Sequence, residues 1–178
     1  MSDFSFPPKY FPQIFAVKTV IEHNGKFLIM REGPEASWKP GRLGLPGGKI
    51  DPGESWEEAL ARELQEELGV EAITEGLICI EEIVYHNPKL NMDQLTHHFV
   101  FKSKISDETF QKLSNKEDIY WHTLEELKKL KAMDMTEFYL PPLWETLSST
   151  EFALVPTHFI HINSGLDNPD FNKWYSKP

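Results

Sequence analysis

The hydrophobic pattern opens with two β-prone runs, Phe15 to Glu22 and Lys26 to Arg31. Asn24-Gly25 lies between them and can supply the two positive φ values of a type I′ turn, so the pair predicts a hairpin. From Glu32 to Gly48 the pattern breaks into glycines and prolines, among them Gly33, Pro34, Pro40, Gly41, Gly44, Pro46, Gly47 and Gly48. This predicts a loop, with a short strand around Leu43 to Leu45. A helical period then takes over from Ser55 to Leu68, where Leu60, Leu64 and Leu68 make one apolar stripe. Ser55 followed three residues later by Glu58 forms a capping box, and Gly69 stands at C′, where a positive φ is needed.

Beyond the helix, Leu77 to Tyr85 and Leu95 to Ile105 read as strands, separated by a turn-rich stretch with Asn87-Pro88. Asp107 to Leu113 suits a short helix and Tyr120 to His122 a strand. Thr123, with Glu126 as its box partner, should cap a helix from Leu124 to Lys131. A last helix is expected from Pro142 through Leu147, and a β-like stretch from Thr157 to Ile162. Residues 1–12 form an arm rich in proline and aromatics (Phe4, Phe6, Pro7, Pro8, Tyr10, Phe11). The expected organisation is this arm, one domain over 13–150, and an extension of the same domain over 151–178.

Composition narrows the partners. The 178 residues include 40% hydrophobic and 26% charged side chains, ordinary for one globular core. A formal charge of -10 argues against a nucleic-acid polymer, whose backbone calls for a basic face. The same charge repels an anionic substrate unless something local reverses the sign. The single cysteine, Cys79, lies in an apolar run and reads as a small core residue. No signal peptide is expected at Met1 to Tyr10, and no apolar run approaches the ~20 residues that span a bilayer. No membrane partner is therefore expected, and a cytoplasmic location is.

Three carboxylates, Glu63, Glu66 and Glu67, share one face of the central helix and border its leucine stripe. Like charges at this spacing cost a helix about 0.2–0.5 kcal/mol per pair. A hard divalent cation would remove the conflict, because Mg²⁺ and its like take carboxylate oxygens. It would also let a polyphosphate approach despite the overall charge. Ahead of the helix, Leu45-Pro46-Gly47-Gly48-Lys49 gives a bend whose backbone can approach a ligand closely. Arg62 can reach back to Glu54, a charge-assisted pair that fixes loop against helix. Taken alone, an acidic triplet is more often solvated surface than a metal site, and the glycines alone suit plain turns.

The spacing is more specific than its parts. Gly48, five residues, Glu54, seven residues, then Arg62-Glu63-Leu64-Gln65-Glu66-Glu67-Leu68-Gly69-Val70 resembles the Nudix box at every defined position, over 23 residues. The order of elements resembles a Nudix domain from about Ile14 to Leu147. The resemblance implies an α/β (α+β) fold, with a mixed β-sheet core between helices and the box as a loop–helix–loop. It implies hydrolysis of a phosphoanhydride bond with Mg²⁺ or Mn²⁺. By position it makes Glu63, Glu66 and Glu67 metal ligands, brings the Gly48 backbone near the metal, and gives Arg62 and Glu54 the task of organising the site. The general base is either a box glutamate or a distant loop acid, for which Glu117 is the candidate; a solvated loop acid is the alternative reading.

The expected substrate is a small nucleotide derivative, either a non-standard nucleoside triphosphate or a nucleotide sugar such as ADP-ribose. Arg31, Lys39 and Arg42 flank the glycine loop and suit phosphates, while Trp38 suits either a stacked base or a loop anchor. His97 and His98 adjoin in a strand and must point to opposite faces. Two other functions remain open: a nucleotide-sensing module that does not hydrolyse, and a diphosphate-using isomerase. The intact box counts against both. The aromatic arm and the tail leave room for a homodimer.

Overall fold

The computed structural model describes residues 13–34, 41, 43–87, 92–129, 147 and 157–162. Its elements in order are β1 (Gln13–His23), β2 (Lys26–Arg31), β3 (Leu43–Gly44), α1 (Trp56–Glu67), β4 (Ile73–Asn87), β5 (Met92–Lys104), α2 (Asp107–Ser114), β6 (Ile119–Thr123), α3 (Leu124–Leu127) and β7 (Thr157–Ile162). The expected hairpin is β1–β2, and its turn has φ of 51° at Asn24 and 74° at Gly25. β4 runs further at both ends than the apolar run suggested. Its early part carries register shifts beside Gly76, where the irregular pairing obscures a clean two-residue period. α3 stops at Leu127, short of the expected Lys131. The helix expected from Pro142 lies outside the described residues except for Leu147, as do the arm, Trp38, Lys39 and Arg42.

All seven strands join one mixed sheet. β1 runs parallel to β5 from Gln13↔Leu95 to Glu22↔Lys104, and β4 runs parallel to β7. β5 pairs antiparallel with β4, and β6 covers the outer edge of β2. β1 and β2 stay together only at the turn, at Glu22↔Phe27 and His23↔Lys26, and then separate. The wedge between them is filled by the chain that leads into α1. β3 pairs with the far end of β2, and residues 46–50 then run along the vacated edge of β1. There Thr19 N–H donates to Pro46 O at 3.0 Å, Val17 N–H to Gly48 O at 2.9 Å, and Ile50 N–H to Phe15 O at 2.9 Å.

α1 carries the predicted capping box, with Glu58 N–H donating to Ser55 Oγ and Ser55 N–H to Glu58 Oε2. Leu60, Leu64 and Leu68 pack with Val17, Ile21, Leu28 and Phe101, a burial worth about 2 kcal/mol per leucine. Gly69 ends the helix at φ 66°. The last turn has no basic residue of its own. Instead α2 and the turn after it supply one each: Lys112 Nζ donates to Gly69 O at 2.7 Å and Lys116, just past the end of α2, donates from Nζ to Leu68 O at 2.6 Å. Cations there complement the negative end of the helix dipole.

Candidate active site

The wedge loop and α1 meet around Arg62. Its guanidinium grips Glu54 with both oxygens, Nε to Oε1 at 2.7 Å and Nη2 to Oε2 at 2.9 Å. The same group donates to Lys49 O at 2.9 Å and to Glu63 Oε1 at 2.8 Å, and reaches Glu66 Oε2 at 3.3 Å. Planar bidentate pairing of this kind fixes geometry as well as charge. The Arg62 contact, with the Asp51 N–H that also donates to Glu54, pulls the Glu54 carboxyl down to about 2. Arg62 is held more firmly protonated by Glu54 and Glu63. The expected tie between loop and helix is therefore present.

The three helix glutamates differ in setting. Glu66 is exposed, its side chain 60% accessible, whereas that of Glu63 is 13% accessible. The Glu63 carboxylate lies directly over Gly48: a Cβ there would fall 2.4 Å from Oε1. Any side chain at Gly48 would displace it. Glu67 accepts a hydrogen bond from Gly47 N–H at 2.8 Å. Burial pushes the Glu67 carboxyl up to about 7, with further upward pressure from Glu63 and Glu32, against the opposing charge of Lys18 and the Gly47 bond. A carboxylate that resists ionisation among like charges marks a place short of positive charge. Among the described residues, no three His, Cys, Asp or Glu side chains already converge as a metal cluster, and Arg62 engages Glu63 and Glu66.

Gly47 is pinned between these groups. Its φ is 126°, and a Cβ would lie 2.2 Å from Val17 O. Both glycine carbonyls already accept donors, Gly48 O from Val17 N–H and Gly47 O from Lys18 Nζ at 2.7 Å. Lys18, in mid-β1, was not singled out from the sequence. The available signal was a charged residue interrupting the apolar run Phe15 to Ile21.

Other candidates lie elsewhere. Arg31 donates to Gly41 O at 2.7 Å and to Tyr120 Oη at 3.2 Å, and lies over the Tyr120 ring, so it anchors the loop after β2. Glu117 is exposed in the turn between α2 and β6. His97 stacks on Phe15 with centroids 4.9 Å apart, while His98 points to the other face beside the fully buried Glu81. Burial, then the Lys18 charge, push His98 down to about 3. Cys79 is buried and donates to Glu81, and its thiol is pushed far above its usual range by burial and that carboxylate. No helix among the described residues is long and apolar enough to cross a membrane.

Comparison with known proteins places this geometry. The family model described as NUDIX domain matches residues 12–141. The chain is 44% identical over 50 residues to a nucleoside triphosphatase NudI of Enterobacter sp., covering 28% of this chain and 36% of that protein. It is 46% identical over 59 residues to a CTP pyrophosphohydrolase of Escherichia coli, covering 33% of this chain and 43% of that protein. The match thus spans less than half the length of either relative. Among solved structures, a MutT protein from Methanosarcina mazei superposes with TM-score 0.58 at 23% identity, over 78% of this chain and 94% of that one. A NUDIX hydrolase from Nitrosomonas europaea superposes with TM-score 0.60 at 18% identity, over 87% and 81%. At these identities the likeness is one of fold.

Proposed function

The chain belongs to the NUDIX domain family, and from that premise we propose that it is a divalent-metal-dependent pyrophosphohydrolase of nucleotide derivatives. The observation that carries this reading is the packing of Glu63 and Glu67 against Gly48 and Gly47, with Glu67 held short of positive charge. The donors fit Mg²⁺ or Mn²⁺ by chemistry: they are carboxylate oxygens on one helix face, partly shielded from water. Glu63, Glu66 and Glu67 would hold the ion beside the Gly48 backbone. What such an ion supplies when bound is charge neutralisation at phosphate oxygens and a more acidic water.

The protein's own groups do the rest. Arg62 and Glu54 hold loop and helix in one register, and Gly47 N–H orients Glu67. Positioning of this kind, together with charge stabilisation, supplies most of the rate enhancement in phosphoryl transfer. A box glutamate would take the proton of the attacking water, with Glu117 the alternative outside the box.

The names of the two relatives favour a nucleoside triphosphate over a nucleotide sugar. The partner this reading requires is a small nucleotide, not a nucleic-acid polymer or a lipid, and the cytoplasm is where it would act. The test is a panel of nucleoside triphosphates, ADP-ribose and dinucleoside polyphosphates with Mg²⁺ or Mn²⁺. Release of a nucleoside monophosphate with pyrophosphate is the expected outcome for a triphosphate. Absence of product from every member, at micromolar enzyme, would overturn the reading.

A further inference from the structure

The main chain of β1 and residues 46–50 pair along the wedge, and Lys18 lies at the centre of that pairing. Its neighbours Val17, Thr19 and Val20 are fully buried, and an aliphatic side chain would suit this stretch with no ammonium to desolvate. The lysine instead spans the loop. Nζ donates to Leu45 O at 3.0 Å and to Gly47 O at 2.7 Å. Gly47 is thus held on three sides. Its carbonyl accepts from Lys18, the place a Cβ would take is filled by Val17 O and the Lys18 backbone, and its N–H donates to Glu67. The ammonium also lends its charge to the same glutamate.

We propose that Lys18 is a positioning residue for the box, clamping the carbonyls of Leu45 and Gly47 so that the Gly47 amide stays aimed at Glu67. The proposal builds on the hydrolase reading above, yet the clamp itself can be tested without turnover. An ordered lysine gives up rotamer freedom, which two charge-assisted hydrogen bonds offset. Released from them, the two peptides that flank Pro46–Gly47 lose the lysine's hold, and the Gly47 N–H is kept toward Glu67 by that bond itself and by Thr19 N–H on Pro46 O.

Lys18→Met keeps the stem and removes the ammonium, and Lys18→Arg keeps a donor at the tip. Amide hydrogen exchange by NMR should show Gly47 exchanging at least ~10-fold faster in Lys18→Met, with Val17 and Thr19 little changed. At saturating Mg²⁺, kcat should fall at least ~10-fold while KM stays within about 2-fold, and Lys18→Arg should recover most of both losses. If Lys18→Met does not fold, Lys18→Gln takes its place. Unchanged Gly47 exchange overturns the proposal, as does a rise shared equally by Val17 and Thr19. If the unmodified protein cleaves no member of the panel, the hydrolase reading falls, and the exchange measurement alone decides the clamp.

Discussion

Glu54, in the loop of the box, and Glu67, near the end of its helix, meet opposite treatment. Glu54 faces one guanidinium across two hydrogen bonds and is pulled down to about 2. Glu67 is turned inward, receives one amide hydrogen bond, and is pushed up to about 7. The first carboxylate is fully compensated by the protein and serves to join loop to helix. The second is left under-compensated, in the setting that suits a cation from outside. Two glutamates of one motif, one in the loop and one in the helix, thus divide into scaffold and chemistry according to where positive charge is already present.

Four substitutions put that contrast to the test. Glu67→Gln removes the under-compensated charge. Turnover should fall at least ~100-fold, with the melting temperature held or raised, and steady-state kinetics with thermal denaturation checks both. Gly47→Ala attacks the partner of Glu67 through sterics. A Cβ against Val17 O at φ 126° should cost roughly 2 kcal/mol or more, read from the denaturant midpoint. Arg62→Lys acts on the scaffold side. It keeps the charge and loses the bidentate grip, so a loss of ~1 kcal/mol is expected, discounted for its partial exposure. A loss of turnover as large as that of Glu67→Gln would erase the contrast.

The smallest effect is the pH response of Glu54. Its folded value lies below the ordinary 4.5, so the native state binds fewer protons than the unfolded state between the two. The stabilisation is complete above about 4.5 and is lost as pH falls toward about 2. Glu54→Gln should flatten the acid limb of a melting-temperature profile in that window. An unchanged limb would place the acid sensitivity elsewhere, with His98, whose low folded value gives a loss of stability below 6.5, as the next group to replace.

The sequence was most legible where the rules are local. The Asn24-Gly25 turn, the Ser55–Glu58 box and the Gly69 stop depend on residues within a few positions, and each stands as expected. α3 shows the limit of such rules. Thr123 and Glu126 form the same box as α1, yet the helix ends at Leu127. A cap starts a helix, and the buried leucine stripe that sustains α1 over three turns has only Leu127 as its counterpart in α3. Non-local features were hidden. The parallel β1–β5 pairing joins segments separated by three strands and a helix. Lys18 finds its acceptors 27 and 29 residues away. Arg31 sits beside the glycine loop, as expected, but its guanidinium is taken up by Gly41 and Tyr120, a ring 89 residues distant.

The closure of α1 by Lys112 of α2 and Lys116 of the turn after it bears on how far the box is a portable unit. Grafted into a foreign host as residues 48–70, the segment would bring its own beginning and leave its ending behind. Leu68 and Gly69 would present bare carbonyls unless the recipient offered donors at the same places. A transplant that worked only after cations were added to a neighbouring helix would show that the motif extends in space beyond the letters that define it.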